Sequence, residues 1–398
     1  MTAPDVAAPR RALLVGALVL TGLTMRVAVS SVGSVLDDIQ DGLHTTSAGV
    51  GVLTTLPVLV FAGLGVRTPA LATKFGPHRV LVVGLVISTL GIVTRSLVSN
   101  LWLYLVLSVL ALAGGAVSNV VLSGVVKRYF PDQIGPMTAI YSTALAVGAT
   151  GAAGLTVPIG DLGDGWRLGT AIWAIVTALA ILPWLSTLRA DRPAAIGQPT
   201  LSARSLLHSR TAVVLMLFFG FQSAQAYIAF GWYARFLHEH AISSATAGAM
   251  VALYSGVSIP VSMIVPSVHQ RWHRLVFVSL IICWGAAYAG FGLAPRGGAW
   301  VWMVLAGIGS GSFPLALALL GLRSRSPEVT TSLSAMAQAF GYLIAGVGPV
   351  LFGVLHGATH GWFASLTLLW IALALTLVFG WISCAPTIVD DELAPSLP

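Results

Sequence analysis

The apolar residues of this chain neither alternate nor mark one helical face; they come in long unbroken runs. A run of roughly twenty mostly apolar residues is what an α-helix needs to cross a bilayer. Such runs stand at 12–36, 46–66, 79–97, 101–126, 137–159, 168–188, 211–237, 246–267, 274–293, 299–321, 330–355 and 362–384. The pattern predicts an all-α membrane protein with twelve spanning helices, numbered helix one to helix twelve in chain order. The first run follows Arg10 and Arg11, as a signal peptide would. It is too long for one, lacks an obvious cleavage site and is followed by eleven more runs.

Composition narrows the reading further. Hydrophobic residues make up 57% of the chain and charged ones only 8%, against roughly 25% charged in a soluble domain. Too few charges are present to cover a water-facing surface, whereas lipid requires an apolar one. The 43 glycines suit helices that must approach closely. A net charge of +7 raises the question of nucleic acid, but no basic cluster with interleaved aromatics accompanies it, and none is expected as a partner. Cys283 and Cys384 both fall inside apolar runs and imply neither a disulfide nor a metal site.

The basic residues orient the chain. With the N-terminus in the cytoplasm, 15 of the 20 Lys and Arg fall on the inner side. Arg95, Arg167, Arg235 and Arg296 fall on the outer side, and Arg26 lies within a span. This bias predicts a cytoplasmic (inner) membrane location with both termini inside. The longest polar connection, 189–210, divides the chain into six-helix halves at 1–188 and 211–398. Internal echoes support the division. Lys127, Pro131 and Asp132 after helix four recur as Arg323, Pro327 and Glu328 after helix ten, at a constant offset of 196. Gly22 and Gly33 in helix one have the spacing of Gly220 and Gly231 in helix seven. Two pseudo-symmetric six-helix bundles are the architecture of the major facilitator fold, whose substrate site is expected near the midplane.

Arg26 is the candidate with the strongest physical motive. It lies fifteen residues past Arg11, roughly 22 Å along a helix. A charge at that depth costs about 2.5–3.5 kcal/mol on insertion scales, so it should face a partner or a wet cavity. Gly22, Ser30 and Gly33 fall on its face of the helix. All 13 acidic residues lie in loops, tails or helix ends, so the expected counter-ion of Arg26 is a substrate. The same absence removes the buried carboxylate that a proton relay or a cation-exporting drug pump would use. Helix seven supplies Gln222 and Gln225, three apart, with Gln225 as far past Arg210 as Arg26 is past Arg11. They are read either as ligands across a cavity from Arg26 or as interhelical glue. Asn119, Tyr141, Tyr254, Gln338 and Tyr342 complete the candidate substrate-binding set with Arg26, Ser30 and the two glutamines; each is also an ordinary packing residue. Gly148, Gly151 and Gly154 with Ala144 and Ala152 read as a packing face of helix five.

These residues carry a resemblance. Met25-Arg26 followed by Ser30-Ser31-Val32-Gly33, the segment Leu53-Thr54-Thr55-Leu56-Pro57, and Asn119-Val120 followed by Val126-Lys127-Arg128 and Phe130-Pro131 occur in order. Gly309, Gly311 and Phe313-Pro314-Leu315, then Gln338, Gly341, Tyr342 and Gly348-Pro349, follow. Together they resemble the cyanate permease and 2-nitroimidazole transporter family of the major facilitator superfamily. The resemblance implies a small polar or anionic solute. Thr24, Val27 and Ser34 depart from it, standing where that family usually has asparagine, proline and proline. The absent prolines are expected to alter the bend beside Arg26.

The expected function is alternating-access transport of a small anionic or strongly polar solute, with a drug or toxic-compound efflux pump of the same fold as the alternative. A membrane-embedded enzyme would need a nucleophile with its base or clustered metal ligands, and a sensor would normally append a soluble domain. The expected partners are a small-molecule substrate, a co-transported proton and the lipid bilayer. The expected assembly is a monomer without cofactor.

Overall fold

A computed structural model describes residues 8–45, 47–188 and 203–393. Most of the connection expected at 189–210 lies outside the described residues. Among those described, twelve helices are long and apolar enough to cross a membrane. Helix one comprises Ala8–Thr24 and Val27–Gly33, followed by helix two (Ser47–Phe75), three (Pro77–Ser96), four (Leu101–Tyr129), five (Ile134–Gly160) and six (Trp166–Ala171 with Trp173–Leu185). Helices seven (Arg210–Glu239), eight (Ser244–Ile264) and nine (His273–Leu293) precede helix ten (Ala299–Gly309 with Ser312–Leu322), eleven (Pro327–Thr359) and twelve (Phe363–Ser383).

Local chemistry sets the starts. Asn100, Ser209 and Ser243 cap helices four, seven and eight by accepting from the N–H three residues on, at 3.1, 3.1 and 3.3 Å. Pro77 opens helix three, where its missing N–H would have no helical partner. The faces are then divided by packing. Along helix three, Val83, Val86, Leu90, Val93 and Leu97 are exposed at helical spacing, while Gly84, Ser88, Gly91 and Arg95 are buried. An exposed apolar stripe of this kind belongs against lipid.

The chain forms two compact units. One contains helices one to six and Ser326–Ala335; the other runs over Arg204–Arg325 and Met336–Pro398. The opening turns of helix eleven therefore group with the first unit, where Ser334 donates to the Asn119 carbonyl at 3.4 Å.

Within the first unit, helices one and five touch backbone to backbone. A Cβ on Gly22 would stand 2.6 Å from the Tyr141 carbonyl oxygen, and one on Gly148 would collide with the Leu23 carbonyl. Gly154 has open space around it, and Gly151 meets only the ring of Trp173 at 3.9 Å. Of the three glycines read as a packing face, the close approach uses Gly148, flanked by the buried Ala144 and Ala152.

In the second unit the chain's end secures two helix termini. Arg323, almost fully buried, donates from Nε to the Ser383 carbonyl and from Nη2 to the Cys384 carbonyl, both at 3.1 Å. A cation thus meets the unpaired carbonyls at the end of helix twelve. The short helix Val389–Leu393 carries Glu392 to the start of helix seven. There its carboxylate accepts from Ser209 Oγ at 2.6 Å, from the Thr211 amide at 3.0 Å and from Thr211 Oγ1 at 2.7 Å. Partial burial by itself would raise the Glu392 carboxyl, but hydrogen bonds from Ser209 and Thr211 outweigh it and hold the group below the usual glutamate value.

Two outcomes are expected, both read by thermal unfolding in detergent. Gly148→Leu lowers the midpoint by the equivalent of about 1–3 kcal/mol of overpacking, whereas Gly154→Ala leaves it nearly unchanged. Glu392→Gln lowers the midpoint at pH 7. Because the folded carboxyl titrates below its unfolded value, its contribution is complete above the unfolded pKa and fades as pH falls through the folded one. The gap between wild type and Glu392→Gln therefore narrows on acidification below the ordinary glutamate range.

Candidate functional site

Helix one breaks at the residue the sequence singles out. Met25 and Arg26 leave the helix, and Arg26 takes φ −123° and ψ −6° as the cap of the segment Val27–Gly33. Its carbonyl accepts from Val29 at 3.0 Å and Ser30 at 2.9 Å, restarting the ladder. The hydroxyl of Thr24 takes the Thr21 carbonyl at 2.8 Å, and Met25 N–H bonds back to Gly22 at 3.2 Å. Serine and threonine offer backbone groups such local alternatives to the helical ladder. The break thus forms without the family's proline, at a position where the sequence leaves its shape open.

Helix four makes room for the exposed turn. A Cβ on Gly115 would stand 2.6 Å from the Met25 carbonyl oxygen and 3.6 Å from the Phe61 ring. Over that ring lies the Arg26 guanidinium, its Cζ 5.5 Å from the centroid. Phe61 is buried while Arg26 is half-buried, so the charge sits on an apolar platform with one side open. A cation over an aromatic face gains about 0.5–2 kcal/mol, more where water is excluded.

Asn119 lies one turn beyond Gly115 and donates from Nδ2 to the Gly115 carbonyl at 2.9 Å. Ser30 lies one turn after Arg26 and is partly exposed. Arg26, Ser30 and Asn119 therefore belong to one neighbourhood, joined through the Met25–Gly115 contact and Phe61. Tyr141 is buried in helix five with its carbonyl against Gly22, one turn before Arg26.

In the second unit the two glutamines of helix seven separate. Gln225 donates from Nε2 to Thr376 Oγ1 of helix twelve at 2.8 Å and accepts at Oε1 from Tyr288 of helix nine, also at 2.8 Å. Its amide ties three helices of its own unit together, which is the glue reading of that residue. Gln222 donates to the Phe219 carbonyl at 3.0 Å and to Ser223 Oγ at 2.7 Å. Its buried Oε1 has no donor among the described residues. Phe219 also meets the ring edge of Tyr342, centroids 5.3 Å apart, with Gln338 one turn earlier on helix eleven. Gln222 and Tyr342 thus meet the same phenylalanine, one at its carbonyl and the other at its ring. Tyr254 stands apart from them, edge-on to Phe230 at 5.5 Å and Tyr233 at 6.1 Å.

The sequence reading missed Arg95. Counted there among outer-side residues, it is 1% exposed. Its Nη2 donates to the Ala28 carbonyl, just past the break in helix one, at 3.0 Å. The signal was available: Arg95 lies on the stripe of Gly84, Ser88 and Gly91, opposite the apolar residues that face outward. A cavity of about 300 Å³ also opens in the first unit, lined by Val35, Asp38, Asp41, Thr156, Asp161 and Trp166 among others. Its three carboxylates would repel an anion, and it does not reach Arg26. Among the described residues no three His, Cys, Asp or Glu side chains gather as metal ligands.

The comparisons agree with this architecture. The profile of the Major Facilitator Superfamily matches residues 17–349. A Bacillus subtilis (strain 168) protein described as an uncharacterized transporter, YycB, is 34% identical over 90% of this chain and 90% of its own length. The 2-nitroimidazole transporter of Escherichia coli (strain K12) is 32% identical over 93% of this chain and 95% of its own. The cyanate transport protein CynX of the same strain is 26% identical over 85% and 88%. Among solved structures, the proton:xylose symporter XylE superposes with a TM-score of 0.75 over 99% of this chain and 100% of its own, at 11% identity, a likeness of fold alone. The chain is a multi-pass membrane transporter, not an enzyme, and it belongs to the major facilitator superfamily.

Proposed function

We propose that this transporter carries a small anionic or strongly polar solute across the cytoplasmic membrane by alternating access, with Arg26 as the anchor. The observation that carries the proposal is the placement of Arg26: a half-buried guanidinium, deep within a span, at a break in helix one and above the ring of Phe61. An arginine fork grips planar oxyanions and nitro groups in two-point fashion, and a flat partner also suits an aromatic floor. Relatives named for 2-nitroimidazole and cyanate transport support that substrate class. Ser30 and Asn119 are the neighbouring polar groups in the same unit. The excess of Lys and Arg in one set of connections supports a cytoplasmic position for both termini.

Membrane voltage constrains the coupling. Moving one charge across 100 mV is worth about 2.3 kcal/mol, so a bare monovalent anion is driven out of a cell that is negative inside. Uptake requires a co-transported cation or a substrate that crosses neutral. A guanidinium is not a proton carrier at physiological pH. A proton therefore travels on the substrate or through outer-facing groups such as Asp37, Asp38 or His238. Asp38 shares its cavity with Asp41 and Asp161; the side chain of Asp37 lies outside those described.

In proteoliposomes tested with cyanate and 2-nitroimidazole, Arg26→Ala is expected to reduce transport at least ten-fold while the melting temperature stays near that of wild type. Arg26→Lys also fails, since a point charge cannot reproduce the fork. Wild-type rates retained in Arg26→Ala would remove the anchor. Imposed pH gradients under clamped voltage test the coupling. Strong proton dependence that survives substitution of Asp37, Asp38 and His238, with a substrate unable to bind protons, would refute the proposed route.

A further inference from the structure

Arg95 sits at the last turn of helix three with its charge enclosed by protein. The bond to Ala28 is the one its side chain makes among the described residues, and its Nε–H has no acceptor. No carboxylate pairs with it there. The Tyr104 ring lies beneath the guanidinium with its centroid 6.0 Å from Cζ, too distant to neutralise the charge. A buried guanidinium left in this state is costly, because its water has been removed and little has replaced it.

The surrounding polar groups share one property. Tyr104 Oη, Ser108 Oγ and Ser31 Oγ are all buried, and none has a hydrogen-bond partner among the described residues. Helical geometry brings these groups toward Arg95. Ser31 is one turn beyond Ala28, whose carbonyl Arg95 grips. The Ser88 hydroxyl donates to the Ala111 carbonyl, and Gly91 abuts Ala111, fixing helices three and four in antiparallel register. That register sets Arg95 opposite Tyr104 and Ser108, which are one turn apart on helix four. The result is a positive charge with four spare donors and no ion-paired carboxylate among the described residues. Water could satisfy the hydroxyls, but it would leave the charge in place. A small anion satisfies both, through charge-assisted hydrogen bonds.

We propose that the first unit binds a small monovalent inorganic anion, of the size of chloride or bromide, at Arg95, Tyr104, Ser108 and Ser31. This site is separate from Arg26 and does not rest on the transport reading. It joins helices three and four to the segment Val27–Gly33 of helix one, so occupancy stabilises the segment that follows the break.

The test is thermal unfolding of the purified full chain in chloride or bromide, with gluconate replacing the halide at constant ionic strength. Wild type and Arg26→Ala are both expected to show a saturable rise of the melting temperature with halide. Arg95→Met abolishes that dependence, and Tyr104→Phe with Ser108→Ala raises the half-saturating concentration at least five-fold. If Arg95→Met yields no folded protein, the Tyr104→Phe, Ser108→Ala variant decides, since it keeps the cation. The proposal is overturned by a wild-type protein indifferent to halide, or by an unchanged half-saturation in that double variant. A halide response retained in a folded Arg95→Met or lost in Arg26→Ala also overturns it. In bromide-soaked crystals, an anomalous peak within hydrogen-bond reach of Arg95 Nε supports the site; bromide peaks only elsewhere count against it.

Discussion

A guanidinium held inside a low-dielectric helical bundle must be surrounded by groups that replace its water, and the first unit is organised around that requirement. Two arginines approach helix one from different sides. Arg26 belongs to it and interrupts it; Arg95 reaches it from helix three and takes the Ala28 carbonyl. The Ala28 carbonyl lies within the segment that follows the break, and Arg95 uses its second lone pair. The break in turn exposes the Met25 carbonyl, which helix four can meet closely only because residue 115 has no side chain. Helix five approaches at Gly148 under the same restriction. Charge, break and glycines are therefore one mechanical problem with one solution.

The second unit solves a different problem with neutral groups. Its buried polar side chains are mainly hydroxyls, amides and phenols, most of them bonded to backbone carbonyls and a few to one another across helices. The chain Thr376–Gln225–Tyr288 spans helices twelve, seven and nine with two hydrogen bonds of 2.8 Å. Interhelical hydrogen bonds in membranes average only about 0.6 kcal/mol. Their value lies in fixing register, since a slip of one residue would bury each group without a partner. Charged groups in this unit work at the termini instead, where Arg323 closes helix twelve and Glu392 opens helix seven.

Much of the fold was legible because lipid makes crude demands. Length and apolarity alone locate twelve spans, and the resemblance drawn from separated motifs falls within the superfamily that the profile identifies. The site was legible in a more limited way. Depth along the chain singles out Arg26, because a charge far from any polar connection needs an explanation. The same reasoning overlooked Arg95, which lies close to the end of its run and so looked like an ordinary flanking cation. Linear depth does not report which way a residue faces; that depends on the helices beside it. Gln225 shows the same limit in reverse. Its distance from Arg210 matches that of Arg26 from Arg11, but whether an amide meets a ligand or a neighbour is decided by Tyr288 and Thr376, far away in sequence.

The distribution of acids completes the physical picture. A carboxylate beside Arg95 would lower the cost of burying it. A paired arginine, however, has already spent its attraction for an external anion. Among the described residues the ion pairs involve Arg235, Arg325 and His356, all at helix ends or connections. Where charge is buried deepest, partial compensation comes from aromatic faces and carbonyl oxygens, which reduce the cost without cancelling the field. A guanidinium held in that way keeps its electrostatic reach, and its remaining demand is met by something that arrives from solution. Incomplete compensation thus turns a structural liability into affinity for anions.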